Sequence, residues 1–205
     1  MILIVGKRIY TLNFQGLITD LDGTLVSLPI NWDKIRSKVR KILRTNHRLK
    51  PLATTIPIVA RGRKFLEKLA YTYIELEEIK AVKHVVYDEN LYSLLKEIKE
   101  RKMKIALVTL QAYTSTDKIL RKLCVRGFFD LIVTRDISVN RLEQLKYAVK
   151  KLKLNPKNTI FVGDMPWDYD AGIALGLYTV IVGNNVPHAQ YKIGKFIEIK
   201  NIIFR

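Results

Sequence analysis

The sequence predicts an α/β protein built on an open parallel sheet, with helices on both faces and a small helical insertion. Two observations support this fold class. Short apolar runs, typical of strands that are buried on both faces, alternate with amphipathic segments along most of the chain. A single stretch, residues 27–88, interrupts this alternation, because it contains helical patterns and no convincing strand.

Five apolar runs, each ending in polar or glycine-containing turns, are predicted as the strands of the sheet. They are Gly16–Thr19, Lys104–Val108, Leu131–Val133, Thr159–Val162 and Tyr178–Val182. Residues 1–13 are expected to form a hairpin about Gly6 and Lys7. Residues 195–205 are expected to add either a strand or a short helix, and the pattern does not decide between them.

Three amphipathic segments between these strands are predicted as helices, because each places its apolar residues on one stripe. They span Asn90–Lys102, Ser115–Cys124 and Arg141–Leu152. The third has a clear start signal, with Asn140 as N-cap and Glu143 in position to complete a capping box.

The interruption divides the chain into a predicted core, residues 1–26 and 89–205, and a predicted cap, residues 27–88. Two helical patterns are expected in the cap, Asp33–Leu49 and Val59–Lys80. Pro51 and Pro57 lie in the join between them, where prolines are typical of a break.

Composition sets limits on the function. The chain of 205 residues has 36 Lys and Arg against 19 Asp and Glu, a net charge of +17, which suggests a polyanionic partner. The single cysteine excludes an intrachain disulfide and a cysteine-based zinc site. No apolar run approaches the roughly 20 residues that span a bilayer, so we expect a cytoplasmic protein without a membrane partner.

The strongest chemical signal is the run Asp20-Leu21-Asp22-Gly23-Thr24-Leu25, which follows an apolar strand directly. Ligands of open α/β sheets bind beyond the carboxyl ends of the strands. Residues two apart on extended chain point the same way, so Asp20 and Asp22 can face one site. Gly23 then permits a turn that most residues resist. A solvated acidic turn or a calcium loop would fit this run alone.

This run resembles the first motif of the haloacid dehalogenase superfamily of phosphatases, and a second run supports the resemblance. Ile160-Phe161-Val162-Gly163-Asp164, with Asp168 four residues on, is similar to the fourth motif of that superfamily. The resemblance covers the chain from Gly16 to about Val182. It implies a Rossmann-like core with a helical cap and a phosphatase similar to phosphoglycolate phosphatases.

The resemblance also implies the roles of single residues. Asp20 would be the nucleophile and Asp22 the general acid and base. Mg²⁺ would be bound by Asp20, Asp164 and the backbone carbonyl of Asp22, with Asp168 as a direct ligand or a support for one. Thr109 ends the second core strand, where the superfamily has a Ser or Thr. Its hydroxyl and the backbone N–H of Leu110 would hold phosphate oxygens.

The third motif of the superfamily, a Lys or Arg that steadies the nucleophile and the phosphate, is irregular in this chain. Arg141 would project from the first turn of its helix towards the expected position of this cation. Lys146 is the alternative, and lies more than a turn further along. A third possibility is that both are solvated helix residues, so the sequence leaves the cation open.

Two functions are compatible with these patterns. The first is a Mg²⁺-dependent phosphatase that hydrolyses a small phosphorylated metabolite through an aspartyl-phosphate; a phosphomutase would use the same motifs. The second is a catalytically weak member that binds RNA or another polyanion through its basic surface. Residues 27–88 hold 14 basic and 6 acidic side chains, and Lys34–Lys50 holds eight basic and no acidic ones. This density predicts a basic cap above an acidic site, able to steer anions inward.

Overall fold

The computed structural model describes residues 2–5, 8–11 and 13–204. Its main sheet has six parallel strands in the order β5-β4-β3-β6-β7-β8. The predicted α/β fold and its five strands are confirmed. The strands are β1 Ile2–Val5, β2 Arg8–Thr11, β3 Gly16–Thr19, β4 Lys104–Val108, β5 Leu131–Val133, β6 Thr159–Gly163, β7 Tyr178–Val182 and β8 Tyr191–Ile193.

Residues before β3 and after β7 form additional strands and short helices. β1 and β2 pair with each other as an antiparallel two-stranded sheet, as the hairpin prediction requires, while its turn at Gly6 and Lys7 lies outside the described residues. The last segment forms a short helical turn, Phe196–Ile199, and one further helix rather than a strand. β8 was not predicted, because it is a three-residue edge strand with an exposed lysine at its centre.

Helices cover both faces of the main sheet, since alternate residues of each strand enter different apolar clusters. Ile105 and Leu107 of β4 pack with α4 and α5, whereas Ala106 and Val108 pack with α6 and α7. The three helices predicted for the core are α4, α5 and α6. The helices are α1 Trp32–Leu43, α2 Leu52–Ala60, α3 Lys64–Ala81, α4 Leu91–Glu100, α5 Tyr113–Lys122, α6 Arg141–Leu152, α7 Pro166–Ala174 and α8 Lys200–Ile203.

Residues 27–88 contain three α-helices, so the expectation of two was wrong. α1 ends at Leu43, where Arg44 adopts a left-handed conformation with φ 51°. α2 carries Pro57 within it, and a left-handed turn at Arg61 and Gly62 separates it from α3. Pro57 removes one backbone N–H donor, yet α2 continues for three residues beyond it. The hydrophobic pattern alone therefore misplaced the breaks.

The three helices share an apolar cluster of their own, built on residues such as Ile35, Ile56 and Ile74. Their connections to the rest of the chain run side by side, because Ser27 and Val86 exchange two backbone hydrogen bonds of 2.8 and 2.9 Å. An apolar cluster of its own and two hydrogen-bonded connecting segments are typical of a compact insertion. The exact division into core and cap stays a prediction.

The carboxyl end of the sheet gathers the chemically interesting residues. β3 lies at the centre between β4 and β6, and its pairing continues one residue further, since Asp20 N donates to Val162 O at 2.9 Å. The loops after these central strands therefore start from one edge. No helix in the described part of the chain is long and apolar enough to cross a bilayer.

Candidate active site

Three buried carboxylates converge beyond the carboxyl ends of β3 and β6. Asp20, Asp164 and Asp168 each offer one oxygen, and these oxygens all lie within 4.8 Å of one another. Thr24 Oγ1 donates to Asp164 Oδ1 at 3.3 Å. Gly23 has φ 82°, and a Cβ at this position would collide with the Asp164 carboxylate. The turn after Asp22 therefore depends on glycine both for its conformation and for space.

Arg141 is the cation of this cluster. It stands at the start of α6, and only 6% of its surface is exposed. Its Nη2 donates to Asp20 Oδ1 at 2.7 Å, and its Nε forms an ion pair with Asp168 Oδ1, also at 2.7 Å. The Asp168 Oδ2 oxygen accepts from the backbone N–H groups of Asp164 and Met165 at 3.3 and 3.1 Å. Asp168 is thus fixed on both of its oxygens.

Gln144, one turn after Arg141, holds this guanidinium in place. Arg141 Nη1 donates to Gln144 Oε1 at 2.9 Å, and Gln144 Nε2 donates to the carbonyls of Thr109 and Ser138, both at 2.8 Å. The side chain is fully buried. Gln144 therefore connects the cation to the end of β4, where Thr109 lies.

Lys146, the alternative cation, is on the outer side of α6. Its Nζ lies 2.9 Å from Glu143 Oε1, and both side chains are about half exposed. The N-cap prediction is confirmed, because Asn140 Oδ1 accepts from Glu143 N at 3.2 Å. The Glu143 carboxylate pairs with Lys146 rather than reaching back to complete the box. Of the two candidate cations, the structure brings Arg141 to the carboxylates and leaves Lys146 in solvent.

Asp22 faces the first residues of the insertion. Its Oδ1 accepts from Leu28 N at 2.9 Å, and the Trp32 side chain donates a further hydrogen bond to the carboxylate. Burial raises its pKa above the ordinary value, although these hydrogen bonds oppose the shift. Asp22 is not one of the three clustered carboxylates. Its expected metal contact, through the backbone carbonyl, stays a prediction.

The electrostatics of the cluster favour a bound cation. Burial raises the pKa of Asp20 to about 7, with Asp168 adding to the shift and Arg141 opposing it. Burial, followed by repulsion from Asp20 and Asp168, raises the pKa of Asp164 to about 8. One arginine therefore does not offset three close carboxylates. A divalent cation that prefers oxygen ligands, such as Mg²⁺, would offset the remaining negative charge.

A cavity of about 500 Å³ opens over these residues, and side chains of α1, α2 and α3 line it as well. Thr109 and Leu110 line it, and Thr109 Oγ1 accepts from Gln111 N at 3.2 Å. Trp32 and Trp167 line it too. A cavity of this size accommodates a small organic ligand.

Seven of the eight site residues proposed from the sequence lie in or directly beside this cavity, and Lys146 does not. Four other residues of this region were not among the predicted site residues: Gln144, Gln111, Arg135 and Glu78. All four are polar side chains that are less than a tenth exposed. Gln144 had a detectable signal, because it lies on the same helical face as Leu145 and Ala148.

Known proteins resemble this chain in sequence and in fold. The sequence model of the haloacid dehalogenase-like hydrolases matches residues 17–182. The pyrophosphatase PpaX of Halalkalibacterium halodurans is 30% identical over 129 residues, which are 62% of this chain and 60% of that protein. This chain therefore aligns with only part of that relative.

Two solved structures show the same fold. A phosphatase of Thermococcus onnurineus superposes with a TM-score of 0.66 at 18% identity, covering 93% of this chain and 98% of that one. The β-phosphoglucomutase of Clostridium difficile superposes with a TM-score of 0.65 at 19% identity, covering 93% and 95%. At such identities the likeness concerns the fold and not the reaction.

Proposed function

Because the chain belongs to the haloacid dehalogenase-like hydrolase family, we propose that it is a Mg²⁺-dependent phosphatase that hydrolyses a small phosphorylated metabolite. One observation carries the proposal: three buried carboxylates, two of them paired with Arg141, lie at a ligand-sized cavity. Phosphate monoesters react extremely slowly without a catalyst, and this arrangement supplies both a nucleophile and positive charge.

The substrate phosphate would lie between Asp20 and the end of β4. Arg141 holds Asp20 Oδ1, and the other oxygen of that carboxylate attacks phosphorus. Thr109 Oγ1, the backbone N–H of Leu110 and the guanidinium of Arg141 would hold the phosphate oxygens that do not react. These donors stabilise the negative charge that develops on the phosphoryl group.

Two displacements complete the reaction. In the first, a bond forms between Asp20 and phosphorus while the bond to the leaving oxygen breaks, and Asp22 gives its proton to that oxygen. In the second, Asp22 takes a proton from water as the water attacks phosphorus, and the bond to Asp20 breaks. Inorganic phosphate and free Asp20 result. The contacts of Asp22 with Leu28 and Trp32 tie this residue to the insertion.

The residues that would hold Mg²⁺ are Asp20, Asp164 and the backbone carbonyl of Asp22. When bound, the ion offsets the charge of the carboxylates and polarises the phosphoryl group. Asp168 has both oxygens engaged, one by Arg141 and one by backbone amides, so we assign it to support of the site. Thr24 orients Asp164 in the same way.

The proposal is tested with p-nitrophenyl phosphate, inorganic pyrophosphate and a panel of phosphorylated metabolites, each with and without Mg²⁺. We expect hydrolysis that requires Mg²⁺ and falls at least about 1,000-fold in Asp20→Asn. Asp170→Asn is the matched control, because Asp170 is an exposed carboxylate on α7. Activity that survives chelation or Asp20→Asn would contradict the mechanism.

RNA binding, the alternative expectation, is not favoured. The family match spans the catalytic motifs, and a binding module would not need buried carboxylates that converge on one point. Salt-sensitive RNA binding by a protein without any phosphatase activity would restore this alternative.

A further inference from the structure

A second polar group lines the cavity, apart from the carboxylates and Arg141. Glu78 of α3 is fully buried and pairs with Arg135, which follows β5 and is 8% exposed. Glu78 Oε2 also accepts from Ala112 N at 3.2 Å and from Ser115 Oγ at 3.0 Å. Arg135 Nη1 donates to Leu110 O at 3.2 Å. The insertion and the ends of β4 and β5 therefore meet at one buried ion pair.

Three polar atoms of this group have no hydrogen-bond partner among the described residues. They are Arg135 Nη2 and both side-chain amide atoms of Gln111, Nε2 and Oε1. Gln111 is 4% exposed, and both residues line the cavity. Buried polar atoms in native proteins are nearly always paired, so two cavity-lining side chains that leave three such atoms unpaired point to a polar ligand. The three atoms are themselves enclosed, so a rotation of these side chains would present them to the ligand.

The hydrogen-bonding capacity of these atoms limits which functional groups a ligand could place beside them. The Glu78 carboxylate offsets the charge of Arg135, so the pair offers a donor without a net positive charge to attract a second anion. Gln111 offers one donor group and one acceptor. A carboxylate or a second phosphate could use the donors but would leave Gln111 Oε1 unpaired. Hydroxyl groups both donate and accept, and two of them would satisfy all three atoms.

We propose that Gln111 and Arg135 form a subsite for the leaving group of the substrate, and that this leaving group is a polyol or a sugar that presents hydroxyl groups to it. The inference rests on the proposed phosphatase function and names its substrate class. The phosphate would lie at Asp20 and Arg141, while the hydroxyl groups of the same molecule lie at Gln111 and Arg135. Both sets of residues line one cavity, which can hold both ends of a small ester.

The test compares three phosphate esters of one chain length: glycerol 1-phosphate, n-propyl phosphate and 3-phosphonooxypropanoate. The first has hydroxyl groups, the second has none, and the third has a carboxylate instead. We expect kcat/KM for the glycerol ester to exceed that of each of the others by about 100-fold, because a site built for hydroxyl groups discriminates against analogues that lack them. A ratio near one, or preference for the carboxylate ester, would overturn the subsite.

Two variants test whether Gln111 and Arg135 cause the preference for the glycerol ester. Gln111→Leu keeps the approximate volume and should lower the ratio between the glycerol and propyl esters about tenfold or more. Arg135→Lys keeps a cation beside Glu78 but removes Nη2, and should lower the ratio in the same direction. Gln190→Leu is the matched control, because Gln190 is exposed and lies outside the cavity. An unchanged ratio in both variants would refute the assignment.

Binding measurements distinguish a failure of the proposed subsite from a failure of the proposed phosphatase reaction. The dissociation constants of the same esters are measured by titration calorimetry with Mg²⁺ on Asp20→Asn, alone and combined with Gln111→Leu. A preference for glycerol 1-phosphate that the second substitution abolishes supports the subsite even if no ester is hydrolysed, in which case the phosphatase proposal alone fails. Hydrolysis of all three esters at equal rates with equal affinities leaves the phosphatase standing and refutes the subsite. Absence of binding by every ester also refutes it.

Discussion

Arg141 Nη2 lies 2.7 Å from Asp20 Oδ1, and both side chains are almost completely buried. This contact joins the start of α6 to the end of β3, although the two residues are far apart in the sequence. Its consequence is that the proposed nucleophile is oriented by a guanidinium before any substrate arrives. A planar group that holds one carboxylate with Nη2 and another with Nε fixes direction as well as charge.

Among substitutions of single basic residues, replacement of Arg141 is expected to lower the activity most. Arg141→Ala should lower kcat/KM about 100-fold or more, because a buried cation that orients the nucleophile and contacts the phosphate is lost. It should also lower the free energy of unfolding by about 3 kcal/mol in the absence of Mg²⁺, since Asp20 and Asp168 would lose the buried cation that they share. Asp20, whose pKa Arg141 lowers, would then take up a proton more readily. Steady-state kinetics and urea denaturation measure the two effects.

Lys146→Ala is the matched control for this substitution on the same helix. Its ion pair with Glu143 is about half exposed, and such pairs contribute little. We expect kcat/KM within about twofold of the original protein. A loss of about tenfold in Lys146→Ala, or none in Arg141→Ala, would reverse the assignment of the cation.

Gln144 is expected to act through Arg141 as a positioning residue. Gln144→Leu removes the acceptor for Arg141 Nη1 and the donor to the Thr109 carbonyl, and should lower kcat about tenfold while KM changes less. A double-mutant cycle tests the route of this effect. In an Arg141→Ala background, Gln144→Leu should lower kcat by less than about twofold; equal losses in both backgrounds would show that Gln144 acts independently.

Local patterns were sufficient to predict most of the sheet and the acidic part of the site. The strands are continuous apolar runs, and Asp20 and Asp164 each follow one directly, so their meeting at one sheet edge follows from parallel topology. The choice between Arg141 and Lys146 needed the structure. Both lie on α6, and only the packing of that helix decides which side chain points inward.

The site residues that were not predicted depend on contacts between distant elements. Glu78 comes from α3 and Arg135 from the segment after β5, and neither has a neighbour in the sequence that signals the pairing. Gln111 makes no side-chain hydrogen bond within the described residues, so no partner could have been inferred for it. The helices of the insertion were misjudged for a different reason. Pro57 is typical of a break, whereas the break lies at Arg61 and Gly62, where the backbone is left-handed.

The basic surface of the insertion is expected to accelerate the arrival of anionic substrates. Lys50 and Arg36 line the cavity, while most other basic side chains of this segment face solvent. For a phosphorylated substrate, kcat/KM should fall severalfold between about 0.02 and 0.2 M salt, because counterions screen the attraction. Lys50→Gln should reduce this salt dependence more than Lys38→Gln, which changes an exposed lysine on α1. A kcat/KM that is independent of salt would show that the charge has no part in association.

Asp130, a carboxylate away from the site, is expected to make the stability of the protein depend on pH. Asp130 accepts from Lys99 Nζ at 2.8 Å and from the backbone N–H of Ile105 at 2.8 Å. Burial raises the pKa of this carboxyl, but Lys99, Ile105 N–H and Lys104 together outweigh it, so the pKa lies below the ordinary value. A lowered pKa means that the folded protein favours the charged form.

The stabilisation by Asp130 is therefore complete above the pKa of the unfolded chain, about 4, and is lost as the pH falls through the lower pKa of the folded protein. At pH 7, Asp130→Asn should lower the free energy of unfolding by about 0.5–1 kcal/mol, a modest value because the lysines are partly solvated and the amide can still accept from Ile105. The difference between the two proteins should shrink towards zero as the pH is lowered below about 4. Urea denaturation at several pH values measures it, with Asp170→Asn as the exposed control. A difference that grew in acid would mean that the folded protein binds the proton at Asp130 more tightly than the unfolded chain does.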